Sequence, residues 1–381
     1  MMSSRMIIIR NIFKTVISTL IFLIYNNNIY AQQDRTFYFS GNINQEFSNN
    51  WLRLPDSSSS KDARLLSSLI IGYNWNSSPL KCNFDLSYEN RYLHYFRLNT
   101  YRRMEHYFSF NGSINLDTNN VLFLYNTFSI RSYDKLKPDN YIRNIFDIYD
   151  KINLTQRLHF LIGYKNWTKD YPNSSLLFNY HSHRAFTKVN YYFTSSDYAG
   201  VKLEYQLHRG NLYPESSLIN TAGNLTGSRY YAELFFNRLW GRKFLTEFVY
   251  KFESDQPNNN ANNQNQNNYQ GDENFEDLLI NDADFDYLKN QFTISLLVKI
   301  AEKLSLFSFN VFQFKNFNSW IINSNEDLRR DILFYNSIML KYRLMQSLRL
   351  NFSFNLENNI SNLNQAKYNS YKISAGCQFE F

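Results

Sequence analysis

The residues best placed for covalent chemistry are His181-Ser182-His183, beside Asn179 and Tyr180. A serine nucleophile, a histidine base and a polar residue to orient the base form the minimal set for hydrolysis. The plainer reading is the polar end of a loop carrying two histidines, and it is favoured because no fuller motif surrounds the three residues. His94, His106, His159 and His208 are dispersed over separate segments without ligand spacing. The chain has no Gly-rich phosphate loop, no paired-Cys zinc spacing, no His-Glu-x-x-His and no Gly-x-Ser-x-Gly elbow. Neither a metal site nor a cofactor is expected, and the protein reads as a non-enzyme.

A second chemistry-bearing set is electrostatic. Lys81, Asp85, Glu89 and Arg91 recur on one parity of their segment, and so do Lys202, Glu204, Gln206 and His208. Glu247 and Lys251, Arg329, Asp331, Tyr335 and Lys341, Arg349 and Glu357, and Lys372 and Glu380 follow the same rule. Period two places each group on one face of a strand. Gathered on one surface, such charges either set a field along an aqueous path or pair with one another and fill the space.

The elements that position them are strands. From Tyr371 to Phe381 apolar and polar residues alternate without a break, and Leu80 to Arg91 and Leu348 to Glu357 do the same. Sixteen segments of about ten to fifteen residues can be read from Arg35 onward, although Tyr141 to Leu154 and Leu304 to Phe314 carry aromatics on both faces. Connections alternate in length. Short ones lie near Ser77 to Pro79, Asp117 to Asn120, Thr155 to Gln156, Ser195 to Asp197, Gly241 to Arg242, Ala301 to Lys303 and Met345 to Ser347. Longer polar ones run over Ser48 to Lys61, Ser132 to Asn140, Lys169 to Ser182, Asn211 to Thr226, Ser254 to Asp282, Asn318 to Asp327 and Ser361 to Gln365, with a short member at Asn99 to Arg102. Within 254–283, Gln256 to Gln270 is almost wholly Asn and Gln, the composition of a solvated external loop.

Arg5, Arg10 and Lys14 precede an apolar stretch from Val16 to Tyr25, the layout of a secretory signal peptide, with Ala31 before a cleavage point. Residues 1–31 are therefore expected to be removed, leaving a single domain over 32–381. That domain holds 37 basic and 33 acidic residues, too slight an excess to argue for nucleic acid. Cys82 and Cys377 fall on apolar faces of strands that are not expected to be neighbours, so free thiols are favoured over a disulfide. Aromatic residues make up 18% of the chain, and no stretch after residue 31 approaches the ~18 apolar residues of a membrane helix.

An alternating final strand that ends on aromatic Phe381 resembles the closing strand of Gram-negative outer-membrane β-barrel proteins, and the strand and loop pattern resembles that class over nearly the whole mature length. The resemblance is porin-like, without a narrower family. It implies an all-β fold, a transmembrane antiparallel up-and-down barrel of about sixteen strands in the cell outer membrane, closed by pairing the last strand with Thr36 to Phe47. It implies that Phe381 is read by the barrel assembly machinery, that outer-membrane lipid meets the apolar faces, and that those faces leave room for a homo-oligomer. Charges cannot face hydrocarbon cheaply, so the set above is expected to line the lumen. The expected function is passive diffusion of small hydrophilic solutes; a scaffold in envelope assembly or secretion and an outer-membrane hydrolase are the alternatives.

Overall fold

The computed structural model describes residues 33–381 apart from 52, 54–60, 78–80, 174–178, 212–223, 242, 258–285 and 322–326. The N-terminal segment 1–31 and nearly all of the Asn/Gln-rich stretch lie outside the described residues. Sixteen strands follow in order: β1 (Gln33–Ser48), β2 (Asp62–Ser77), β3 (Cys82–Tyr95), β4 (Arg103–Asn115), β5 (Asn120–Tyr133), β6 (Tyr141–Asn153), β7 (Leu158–Asp170) and β8 (Asn179–Tyr192). They continue as β9 (Tyr198–Asn211), β10 (Asn224–Trp240), β11 (Phe244–Pro257), β12 (Tyr287–Lys299), β13 (Leu304–Ile321), β14 (Leu328–Arg343), β15 (Leu348–Ser361) and β16 (Tyr368–Glu380). Each pairs antiparallel with its sequence neighbours, and β1 closes the barrel on β16 with Asn42 opposite Gln378 and Glu46 opposite Ser374. Closure leaves no sheet edge, which makes the architecture tenable in lipid.

Because side chains alternate and the register is regular, one parity on every strand lies inside the barrel and the other outside. On β1 the outer parity is Phe37, Phe39, Ile43 and Phe47, all exposed, whereas Glu46 and Ser48 on the inner parity are buried. The same division runs through Leu65, Leu69 and Ile71 on β2, Val201, Leu203 and Leu207 on β9, and Phe352 on β15, all exposed outward. Among the residues whose side chains are described, the outward charges are Asp150, Asp170, Arg209, Arg238 and Arg330, each within four residues of a strand end. A charge at the middle of a lipid-facing strand costs roughly 2–4 kcal/mol for Arg or Lys, and the outer wall avoids that cost. An apolar band without charge, a closed ladder and a polar interior are the properties of an outer-membrane β-barrel, and this chain has them.

The β6 and β13 segments alternate poorly in sequence because their inner faces are aromatic too, with Tyr141 and Tyr149 on β6 and Phe307 and Phe309 on β13. Several boundaries differ from the sequence pattern: β8 begins at Asn179, β10 at Asn224 and β13 reaches Ile321, and β11 runs on to Pro257, because Glu253 and Asp255 continue the inward parity and meet Tyr231 and Arg229 on β10.

Connections of three to five residues alternate with longer ones. Three of the short turns share one device, a side-chain oxygen that accepts backbone N–H groups two and three residues on. Asp117 takes the N–H of Asn119 (2.6 Å) and Asn120 (2.9 Å). Thr155 does so for Arg157 and Leu158, and Thr194 for Ser196 and Asp197. Cys82 and Cys377 are free and sit on strands separated by β1 and β2. Three strand spacings are about 14 Å, beyond the reach of a disulfide.

Candidate functional site in the barrel interior

The register places Asp85, Glu89 and Arg91 (β3), Lys202, Glu204 and His208 (β9), and Glu247 and Lys251 (β11) on the interior parity. Arg329, Asp331 and Lys341 (β14), Arg349 and Glu357 (β15), and Lys372 and Glu380 (β16) share it. Lys81 does not belong to the wall. It precedes the first residue of β3 in the turn, exposed and with φ of 50°, and this left-handed conformation interrupts the alternation that its position in the sequence suggests.

Most of these charges are paired, and the commonest arrangement is a base and an acid two residues apart on one strand. Arg91 meets Glu89 at 2.6 Å, Lys202 meets Glu204 at 2.6 Å, Lys251 meets Glu253 at 3.2 Å and Arg329 meets Asp331 at 2.6 Å. Positions i and i+2 share a face, so each strand supplies its own counter-ion. Arg349 and Glu380 join β15 to β16 at 3.2 Å in an exposed pair, and Asp85 accepts from Tyr38 Oη at 3.3 Å. Glu357 is met by Arg53 of the first long loop at 3.0 Å and accepts from Tyr368 Oη at 2.6 Å.

A second ring of charges, towards the long-loop end, is absent from the sequence reading. Arg64 donates to Glu46 at 2.5 Å and to Tyr95 Oη at 2.7 Å. Glu105 is clasped by Arg103 and Arg131, each at 2.8 Å. Arg229 binds Asp255, while Glu253 takes Lys289 at 2.5 Å and the Tyr287 hydroxyl at 2.5 Å. Arg229, Glu253, Asp255 and Tyr287 are 0% exposed, so these charges are held away from water and depend on one another. Aromatic rings supply the remaining partners: Lys315 lies 3.7 Å above the Tyr287 ring, and Arg131 and Lys169 lie 4.5 Å and 4.4 Å from the Tyr141 ring centre. The available sequence signal was the same i, i+2 pairing, as in Arg103 and Glu105. Of these residues Lys169 and Asp255 lie in stretches assigned to loops, and most of the others find their partners across strands, which periodicity along one strand does not report.

Just after β1, Trp51 and Arg53 reach side chains of the inner wall. Trp51 is buried, its Nε1 donates to the Asp62 carbonyl at 2.8 Å, and the Arg64 guanidinium stacks 4.1 Å from its ring centre. Beside it opens an interior cavity of about 490 Å³. Arg53, Arg64 and Lys372 supply its cationic side, and Phe307, Phe309 and Tyr335 its aromatic side.

His181-Ser182-His183 lies within β8, so period two sends Ser182 into the barrel and both histidines to the outside. His183 Nδ1 is instead in contact with the Tyr164 hydroxyl at 2.6 Å on the outer face. Ser182 pairs in register with His208, whose Nε2 is 3.7 Å from Asp255 Oδ1. That line resembles a Ser-His-Asp order only superficially: Ser182 is 0% exposed, where no substrate carbonyl can reach it, and Asp255 is engaged by Arg229. Among the described residues no group of three His, Cys, Asp or Glu side chains is placed to hold a metal ion.

No family model matches the chain, and no curated protein matches it in sequence. Solved structures do match its fold. The outer-membrane channel DcaP of Acinetobacter baumannii aligns with a TM-score of 0.54 at 9% identity, over 92% of this chain and 98% of that one. OccAB1 of the same organism aligns at 0.50 and 8% identity over 91% and 96% of the two chains. Pseudomonas aeruginosa OpdK, solved with vanillate, aligns at 0.50 and 7% identity over 91% and 99%. At such identities the likeness is one of fold, and in fold this chain is an outer-membrane β-barrel of sixteen strands.

Proposed function

We propose that the protein is a porin-like channel through which small hydrophilic solutes diffuse passively, with its long-loop end facing outward. The observation that carries this reading is the two-sided wall: an outer face without charge over its middle and an inner face dense in polar and ionic side chains. Barrels of about sixteen strands are wide enough for an aqueous path, unlike eight-stranded ones that side chains fill. The interior cavity beside Trp51 supports the same reading, as do matched folds that include a protein described as an outer-membrane channel and one solved with vanillate. Selection would follow from width and from the charges inside, without covalent chemistry.

The buried ring of charges towards the long-loop end favours a second reading, in which a constricted barrel serves as a scaffold for envelope partners. Proteoliposome swelling separates the two. A channel admits small sugars and amino acids at rates that fall with solute size, whereas a scaffold leaves the vesicles as tight as protein-free ones.

A further inference from the structure

The interior charges are not evenly distributed around the barrel. On the inner faces of β9 to β16 and β1 to β3, thirteen bases face twelve acids among the described side chains, so that most of the wall is close to neutral. On β4 to β8 eight bases face only two acids, Glu105 and Asp147. Among the described side chains of the inner wall, nearly all the excess positive charge therefore lies on five adjacent strands.

Within that sector the bases stand in tiers. Arg143 and Lys169 are direct register partners nearer the long loops, with Arg103 and Arg131 beside them. Four residues further along β7 comes Lys165, which faces Arg184 on β8 and Asp147 on β6 in register. Four further still, Lys151 and Lys188 flank Leu161. Four strand residues span about 13 Å, so the tiers follow the barrel from one end towards the other. Like charges placed directly opposite one another on a sheet are destabilising, and the first two tiers carry that cost. The nearby acids offset part of it: Asp147 faces Lys165 in register, Glu204 takes Arg184 at 3.3 Å, and Glu105 is shared between Arg103 and Arg131. Tyr141 faces three cations, Arg131, Arg143 and Lys169, within 4.4 to 5.9 Å of its ring centre.

We infer that this β4–β8 wall is an anion path, and that the solutes the channel favours are small anions bearing carboxylate or phosphate groups. The inference rests on the channel reading above and narrows its solute class. An anion entering at the long-loop end meets a cationic pair at each tier, while the neutral remainder of the wall offers a cation no equivalent series. A one-sided field of this kind raises the local concentration of the opposite charge in a passage with low-dielectric walls.

The test is the reversal potential of the purified protein in planar bilayers under a potassium chloride gradient. Chloride is expected to be more permeant than potassium, and Lys165→Gln with Arg184→Gln is expected to reduce the permeability ratio by about twofold or more. Lys151→Gln with Lys188→Gln provides a second tier, should the first pair of substitutions impair folding. Replacing chloride by acetate and by inorganic phosphate as the probe distinguishes the two anionic groups. An open channel that prefers potassium, or an anion preference that neither tier's substitutions reduce, overturns the inference while leaving the channel intact. The absence of any conductance overturns the channel reading itself, and the anion path with it.

Discussion

Arg229 shows how strongly single residues are bound into the interior. Its guanidinium meets Asp255 and lies 3.7 Å from Glu253, and all three side chains are essentially without solvent contact. Arg229→Met would leave Asp255 buried without its main partner, so a loss of roughly 3–5 kcal/mol is expected in urea unfolding from lipid vesicles. The double variant Arg229→Met with Asp255→Leu should lose much less, since removing both charges removes the desolvation problem. Asp117 presents a milder case outside the membrane-spanning strands. Hydrogen bonds from the Asn119 and Asn120 N–H groups hold its carboxyl below the usual carboxylate range. A carboxyl depressed in the folded state contributes stability that is present above the unfolded value, about 3.9, and is lost as pH falls through the folded value. Hydrogen exchange at Asn119 and Asn120 should therefore stay slow to below pH ~4 in the native protein. In Asp117→Ala it should approach the rate of an unprotected amide at every pH. Neither role follows from residue type alone: Asp255 lies in a stretch that composition assigns to a loop, and its partner is 26 residues away in the chain.

Among the elements, the strands reveal themselves in the sequence and their ends do not. Alternation in β3, β15 and β16 places inner and outer residues correctly because each has one apolar and one polar face. It weakens in β6, where Tyr141 and Tyr149 line the inside, since a channel wall built partly of tyrosine has no clean polar parity. The interior also uses ring-over-glycine contacts that no periodicity reports. Tyr38 on β1 lies flat across Gly72 on β2, and Phe235 on β10 does the same to Gly200 on β9. A methyl group at position 72 would occupy the space of the Tyr38 ring, so Gly72→Ala is expected to cost about 1–3 kcal/mol, read as a lowered urea midpoint. Gly241, in a short turn with φ of 62° and open space around it, should tolerate alanine sterically but at the expense of backbone strain. The final strand meets the first through mutual backbone bonds between Phe39 and Phe381, at 2.9 and 2.7 Å. If Phe381 also serves assembly, its deletion should lower the amount of protein reaching the outer membrane far more than it lowers the stability of protein refolded in detergent.

For the whole molecule, the account rests on one division of the wall, with hydrocarbon outside and water within. Strand count, antiparallel order and the closing pair were legible in the sequence because connection lengths alternate and every strand keeps one parity apolar. The ring of buried charges and the one-sided basic sector were not, because both depend on which strands become neighbours and at what register. Alternate positions of β16 test the division most directly. In a Cys82→Ala, Cys377→Ala background, single cysteines are introduced as Lys372→Cys and Ser374→Cys on the inner parity, and Ile373→Cys and Phe379→Cys on the outer. They are then exposed in intact membranes to a small thiol reagent that dissolves in water and not in lipid. Labelling is expected at 372 and 374, and protection at 373 and 379. Equal labelling at all four positions, or labelling of the outer pair alone, would contradict that division.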